Sequence, residues 1–528
     1  EASVARDPSF AAYQGRHEFD GQIADLSAQT IAAHTKELEQ FRAEVLAFED
    51  SKLDPAQRFE RDYVLANLEG ALFFRQRVPQ HTRSPLMYSN AIDPSLYLTR
   101  DYAPLEQRLK AYIAHTREVP RVIEQMKQNL VLPLPRTFVE VGSKVFGGLG
   151  PYLEKDVIGI FAAVKDPALQ AELQKVTAPA AAATRDATAW LDAQLATSND
   201  AYALGPDLFR ELLWATERVD TPLADLEAQG KADLEQNLAA LQKACGELVK
   251  GKPLAKCIEL VANEKPKEGP VVGARAQLDD LRNFVIEKDL VTIPGPEKAL
   301  VEEAPPYKRW NQAYIEIPGP YEQGMPSIYY IAPPDPAWSE KDRLAYIPGA
   351  ADLLFISVHE VWPGHFLQFL HANRSPRMFG RLFVGYAFSE GWAHYSEEMM
   401  WEAGLSNGDP KVRVGQLLNA LLRNARFLSA IGLHTQGMSV AESERLFLDK
   451  AFQDPGNAKQ QAARGTFDPG YLNYTLGKLM IRKMREDYAK TRGGRAAWRA
   501  FHDELLSYGG PPLPLVRKAM LGNEGGLL

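Results

Sequence analysis

The sequence predicts a mostly α-helical protein with one small antiparallel β-sheet. Three observations predict it. Through most of the first 285 residues, apolar side chains recur at three-and-four spacing with charges between them. Around Asp289 that texture gives way to short runs rich in β-branched and aromatic residues, separated by Pro-Gly turns. Helical spacing returns near Gly349 and persists almost to the C-terminus.

In chain order, Ile23–Phe48, Ala103–Leu130 and Leu223–Val249 carry the clearest helical stripes. The β-rich runs are Leu290–Ile293, Leu300–Glu302, Tyr314–Ile317 and Ser327–Ile331. The prolines between Pro305 and Pro336 keep them short and predict that one of them is an edge strand. The chain therefore divides into a helical N-terminal lobe, 1–288, and a second lobe, 289–528. The second lobe holds the sheet at 289–332, histidine-bearing helices at 349–403 and further helices at 411–490. No repeat or long Gly/Ser linker separates the lobes, so they are expected to form one continuous unit.

Of the 528 residues, 45% are apolar and 24% charged, the composition of an ordinary globular protein. A formal charge of -8 argues against a nucleic-acid partner or an anionic membrane surface, both of which call for a basic face. No apolar run, Val157–Val164 included, is long enough to span a bilayer. The chain starts at Glu1 without a methionine, so a trimmed N-terminus is expected, and no signal peptide is visible. Cys245 and Cys257 flank a Gly-Lys-Pro stretch that can turn the chain back. A local disulfide and a periplasmic or secreted location are expected, with two unpaired buried thiols as the alternative.

Five of the ten histidines fall between 359 and 434. The segment Ser357–Gln368, SVHEVWPGHFLQ, starts like the zinc-protease helix H-E-x-x-H but carries Pro363 where the second histidine belongs. In an unbroken helix His365 would be rotated by about 600° from His359 and displaced by about 9 Å. Pro363 clashes with the carbonyl of residue 359, and Gly364 accepts dihedrals that other residues do not. The helix is therefore expected to break between Val361 and Gly364, which can bring His365 back beside His359.

A third metal ligand, carboxylate or histidine, is sought on SEGWAHYSE, Ser389–Glu397. Glu390, His394 and Glu397 lie there at i, i+4 and i+7, on one helical face. That stripe can equally be a solvated face, and the His-Glu segment upstream tips the balance towards ligands.

HEVWPGHFLQ together with EGWAHYSE resembles a large bacterial domain-of-unknown-function family marked by HExxPGH and EGWAxYxE. That family looks like a relative of the helical gluzincin peptidases, the group of angiotensin-converting enzyme, thimet oligopeptidase and carboxypeptidase Taq. The resemblance covers most of the chain and is strongest from Leu290 to Arg485. It implies a two-lobed helical metallopeptidase fold with one zinc ion held by His359, His365 and Glu390. Glu360 would be the general base, and Glu397 would stand behind the ligands. His394 departs from the family's aliphatic residue and is a candidate fourth ligand or substrate contact. Ala430 stands where the family has an aspartate.

The chemistry expected is hydrolysis of short peptides by a dipeptidase or an oligopeptidase or carboxypeptidase-like enzyme. Tyr474 and His434 are candidate donors to the developing oxyanion. Arg423, Arg464 and Lys478 are candidate anchors for a peptide terminus, Lys478 lying one helical turn after Tyr474. Ser327–Ile331 is a candidate edge strand for β-augmentation, with Tyr329 or Tyr330 towards the cleft. Rival readings are a non-catalytic peptide- or metal-binding protein and a hydrolase of non-peptide amides. Gly404–Gly408 matches G-x-S-x-G but follows a helix instead of a strand, so it is expected to be a turn. No histidine has a glutamate three residues before it, which removes a di-iron bundle.

Overall fold

The computed structural model describes residues 6–305, 308–309, 311–322, 324–522 and 526–528. They are mostly helical, with one three-stranded sheet. They fall into two compact units. The first comprises Glu1–Glu49, Leu68–Tyr202 and Pro318–Met325; the second comprises Asp50–Asn67, Ala203–Ile317 and Pro326–Leu528. Residues 203–288, read from sequence as part of an N-terminal lobe, thus pack with the histidine-bearing helices.

The first unit is organised around α1 (Arg136–Phe161) and α2 (Pro167–Gln194), antiparallel neighbours joined by a short turn. Asp166 caps α2 by accepting from the Ala168 amide, and Pro167 occupies its first turn. Phe146, Phe161, Leu173 and Leu191 are buried on the facing sides.

In the second unit α3 (Pro206–Glu217), α4 (Leu223–Leu248), α5 (Leu254–Asn263) and α6 (Pro270–Glu287) precede the sheet. It is formed by β1 (Ala299–Glu303), β2 (Ala313–Glu316) and β3 (Ser327–Ile331). After it come α7 (Ala350–Glu360), α8 (His365–Ala372), α9 (Tyr386–Glu402), α10 (Pro410–Thr435), α11 (Pro455–Phe467) and α12 (Asn473–Lys490). Asp409-Pro410 and Asp454-Pro455 start α10 and α11 by the device that starts α2. Helix α4 lies along α10, where Gly230 leaves room for the Phe427 ring. The cysteines are paired: a Cys245–Cys257 disulfide, Cα atoms 5.6 Å apart, joins α4 to α5. Gly404–Gly408 is a short turn between α9 and α10, as its flanks predict.

Two expectations for the sheet are corrected. Its order is β1-β3-β2, with β1 parallel and β2 antiparallel to β3, so the sheet is mixed and Ser327–Ile331 is its central strand. The chain runs through β2 before β3 inserts between the first two strands, a crossing that run lengths and prolines do not encode. Leu290–Ile293 is not a strand. Side chains take up its backbone groups instead: Asp503 accepts from the Thr292 amide at 2.7 Å, and His371 and His502 contact the carbonyls of Thr292 and Leu290 at 2.8 and 2.6 Å.

Candidate metal centre

Helix α7 ends at Glu360, and α8 begins at His365. The break expected between Val361 and Gly364 is present. Val361 leaves the helical region at φ -123, ψ -74, and the chain re-enters a helix through Gly364 at φ -71, ψ -133. The Gly364 amide donates to the Val358 carbonyl at 2.9 Å, which folds the interruption back onto the preceding turn. A Cβ at residue 364 would collide with the carbonyls of His359 and Val358. Trp392 on α9 fixes the other side, its Nε1 donating to the Pro363 carbonyl at 2.8 Å.

This break sets the His359 and His365 rings perpendicular, with centroids 4.8 Å apart. Glu390 comes from α9. Its Oε2 lies 3.3 Å from His359 Nε2 and 3.2 Å from His365 Nε2. One ligand atom from each of the three residues falls within 4.8 Å of the others. Tetrahedral zinc with bonds of about 2.0–2.1 Å holds its ligand atoms about 3.3 Å apart, a spacing that the two histidine–Glu390 separations match, and the donor set fits zinc in type.

Glu390 reaches the histidines because α9 and α12 cross almost in backbone contact at Gly391 and Gly477. A Cβ on Gly477 would strike the Ala387 carbonyl, and one on Gly391 would lie 2.5 Å from Gly477 Cα. The same crossing brings Tyr474 to the cluster, its ring stacked at 6.1 Å from that of His359.

Behind the ligands, Glu397 Oε1 lies 2.7 Å from His359 Nδ1. Nδ1 therefore carries a proton that it donates to Glu397, which leaves Nε2, on the Glu390 side of the ring, as the atom that would face a metal. Arg423 Nη2 approaches both His359 Nδ1 (3.3 Å) and Glu397 Oε1 (3.1 Å). Two donors cannot bond each other, so the carboxylate oxygen is the shared acceptor. Burial would raise the Glu397 pKa, but Arg423, His394 and His359 outweigh it and hold the carboxyl far below its usual range. Burial also opposes charge on His359, yet Glu390 and Glu397 lift it to about 9. The cluster is arranged to attract positive charge.

Glu360 is buried beside the ligands, and burial pushes its pKa up while His365 and His359 pull it down. It forms no ion pair with lysine or arginine among the described residues, and its carboxylate is not tied up elsewhere.

The remaining candidates separate by position. His394 is fully buried behind Glu397, 3.3 Å from its Oε2, and burial lowers its pKa to about 4; it does not join the three ligands. His434 sits in the last turn of α10, its Nε2 at 2.8 Å from the Gly465 carbonyl and its ring against Phe209. It is a core residue remote from the cluster, because eleven residues of helix carry it about 16 Å along the axis from Arg423. Lys478 is wholly buried and bonded to Asp233 at 2.6 Å, with Glu398 at 3.4 Å, so it is not available to a substrate. Arg423 is committed to Glu397 and to Asn419. Tyr329 is fully buried in the main core, while Tyr330 stacks on Tyr314 on the opposite face of the sheet.

Arg464 is partly exposed and belongs to a triad: it donates to Asp468 and to the Tyr386 hydroxyl, each at 2.9 Å, and that hydroxyl donates to Asp468 at 3.1 Å. Tyr386 packs edge-on against Tyr474, with centroids 5.9 Å apart. On the other side Arg426 lies 4.7 Å over the Tyr474 ring. Its Nε donates to Gln461, and no carboxylate pairs with it among the described residues. Tyr386 and Arg426 went unrecognised in the sequence, although both signals were there. Tyr386 extends the Glu390–His394 stripe one turn upstream, and Arg426 follows Arg423 on the same helical face.

The fold recurs in solved structures. A Shewanella oneidensis protein described as a "putative lipoprotein of unknown function" superposes with a TM-score of 0.80 at 22% identity, over 98% of this chain and 97% of that one. A Colwellia psychrerythraea protein described as a "putative lipoprotein" superposes with a TM-score of 0.83 at 15% identity, over 98% and 96%. The search of curated proteins finds no match. A family model matches residues 8–520, and the chain belongs to that family, the bacterial proteins of unknown function called DUF885.

Proposed function

We propose that this protein is a zinc-dependent hydrolase of short peptides, working as the helical gluzincins do. The observation that carries the reading is the position of Glu390 Oε2, 3.3 and 3.2 Å from the two histidine Nε2 atoms, with Glu397 fixing the tautomer of one of them. His359, His365 and Glu390 would hold the metal, and three protein ligands leave a position open for chemistry. Bound zinc supplies a Lewis acid for the scissile carbonyl and lowers the pKa of water to about 7.

Glu360 takes the proton of the attacking water and delivers it to the leaving amine. Its carboxyl is buried beside the ligands and pairs with no lysine or arginine among the described residues, which leaves it open to that transfer. Tyr474 presents its hydroxyl to the carbonyl oxygen as negative charge develops there. Arg426, a buried cation without a carboxylate partner, accepts the free carboxylate of a short peptide, with Arg464 beyond Tyr386 as a second cation. An extended substrate adds to β2, the outer strand beside α7, because β3 is already paired on both edges. The disulfide and the lipoprotein descriptions of the structural neighbours support an extracytoplasmic location.

The test is direct. The protein is stripped with a chelator, reconstituted with zinc and offered a panel of di- to pentapeptides. Hydrolysis that disappears with the metal and returns with zinc supports the reading. Zinc and peptide binding without turnover would assign the scaffold to capture instead.

A further inference from the structure

Helix α9 starts from Gly385, which has no side chain to cap it. The first amides of a helix need acceptors, and buried ones cannot borrow them from water. Glu217, the last residue of α3, supplies them to α9 from 170 residues away. Its Oε2 accepts from the Ala387 amide at 3.3 Å, and the Tyr386 amide also donates to the carboxyl. Its Oε1 accepts from Asn473 Nδ2 at 3.2 Å. The side chain is 2% exposed and pairs with no cation among the described residues.

A buried carboxyl without a counter-charge is costly, so a leucine here would pack more favourably but leave the helix amides unpaired. The two contacts lie at functional positions. Tyr386 is one turn before Glu390 on α9, and Asn473 immediately precedes Tyr474 on α12.

We propose that Glu217 is a positioning residue: its carboxyl ties the starts of α9 and α12 together and so sets where Glu390 and Tyr474 stand. The consequence for catalysis rests on the zinc-hydrolase reading; the clamp itself does not. Burial pushes the Glu217 pKa up to about 8, so the carboxyl can hold a proton at neutral pH. Asn473 Oδ1, which has no other partner among the described residues, is a ready acceptor for that proton if the amide turns.

The experiment compares Glu217→Leu and Glu217→Gln in the full chain by three readouts. They are hydrogen exchange at the 386 and 387 amides, zinc affinity by competition with a chromophoric chelator, and kcat and KM for a peptide substrate. Glu217→Leu is expected to speed exchange, weaken zinc about tenfold and lower kcat more than it changes KM. Glu217→Gln is expected to retain all three, because its carbonyl serves the amides and Asn473 can turn to accept its NH2. A folded Glu217→Leu with wild-type exchange and zinc affinity overturns the proposal, as does a Glu217→Gln damaged equally. If Glu217→Leu does not fold, Asn473→Leu cuts the α12 half alone. A fall in kcat with zinc affinity retained supports the clamp, and an unchanged kcat overturns it. Should the wild type bind no zinc, the hydrolase reading fails, while amide exchange still decides the clamp.

Discussion

Glu397 and His359 form one buried pair: Oε1 of the glutamate lies 2.7 Å from Nδ1, leaving Nε2 to Glu390 on the opposite side of the ring. A carboxylate behind a histidine fixes its tautomer and strengthens it as a donor to a metal. Glu397→Gln is expected to weaken zinc binding by about 10- to 100-fold, the usual effect of losing such a partner. Competition with a chelator of known affinity measures it. Unchanged affinity would mean that the pair is only a buried hydrogen bond.

Gly364 makes the second prediction. A methyl group there would meet the carbonyls of His359 and Val358, inside the interruption that turns His365 back. Gly364→Ala should therefore lose zinc while far-ultraviolet circular dichroism stays close to wild type, since the helices on either side are intact. Zinc bound at wild-type stoichiometry would show that the break tolerates a Cβ.

These two residues also show what the sequence reveals. Pro363 and Gly364 announce the broken helix by local sterics, and the i, i+4, i+7 spacing on Ser389–Glu397 announces that Glu390, His394 and Glu397 share one helical face, because both depend on neighbours in the chain. The sheet order does not follow from sequence: β3 enters between β1 and β2 through a choice of pairing that no single run encodes. Lys478 and His434 misled for the same reason. Lys478 lies one turn from Tyr474, but its orientation is set by Asp233, some 245 residues away. His434 belongs to the core contact with Phe209 and Gly465. Helix periodicity gives a residue's face; only packing decides what that face meets.

Arg426 makes a prediction about substrate. If it receives a peptide carboxylate, Arg426→Ala should raise KM for peptides with a free C-terminus by about 10- to 100-fold, the loss of a charge-assisted pair worth about 1.5–3 kcal/mol. Amidated peptides should already be poor substrates, and the substitution should not worsen them further. Equal damage to both kinds of peptide would assign Arg426 to packing against Tyr474.

Glu217 gives a pH prediction with a definite sign. Its folded-state pKa, pushed up by burial to about 8, lies above the usual 4.5, so the folded state holds a proton that the unfolded chain releases. The stability this contributes is fully present below about pH 4.5 and is lost as pH rises towards 8. Glu217→Gln has no such dependence. In metal-free protein, the melting temperature of Glu217→Gln should gain on that of wild type by several degrees between about pH 5 and pH 8.5. A constant difference across that range would mean that Glu217 ionises normally in the fold.

The proposed hydrolysis needs both one zinc ion and Glu360, and a single substitution separates their roles. Zinc content and peptide turnover are measured side by side for the wild type and for Glu360→Gln, which keeps the shape of the side chain but has no basicity. About one zinc per chain is expected in both proteins. Turnover in the variant is expected to fall by a factor on the order of 10² to 10⁴, the usual worth of a positioned general base. Wild-type turnover in Glu360→Gln with zinc bound would show that Glu360 is not the base and that hydrolysis does not run as proposed.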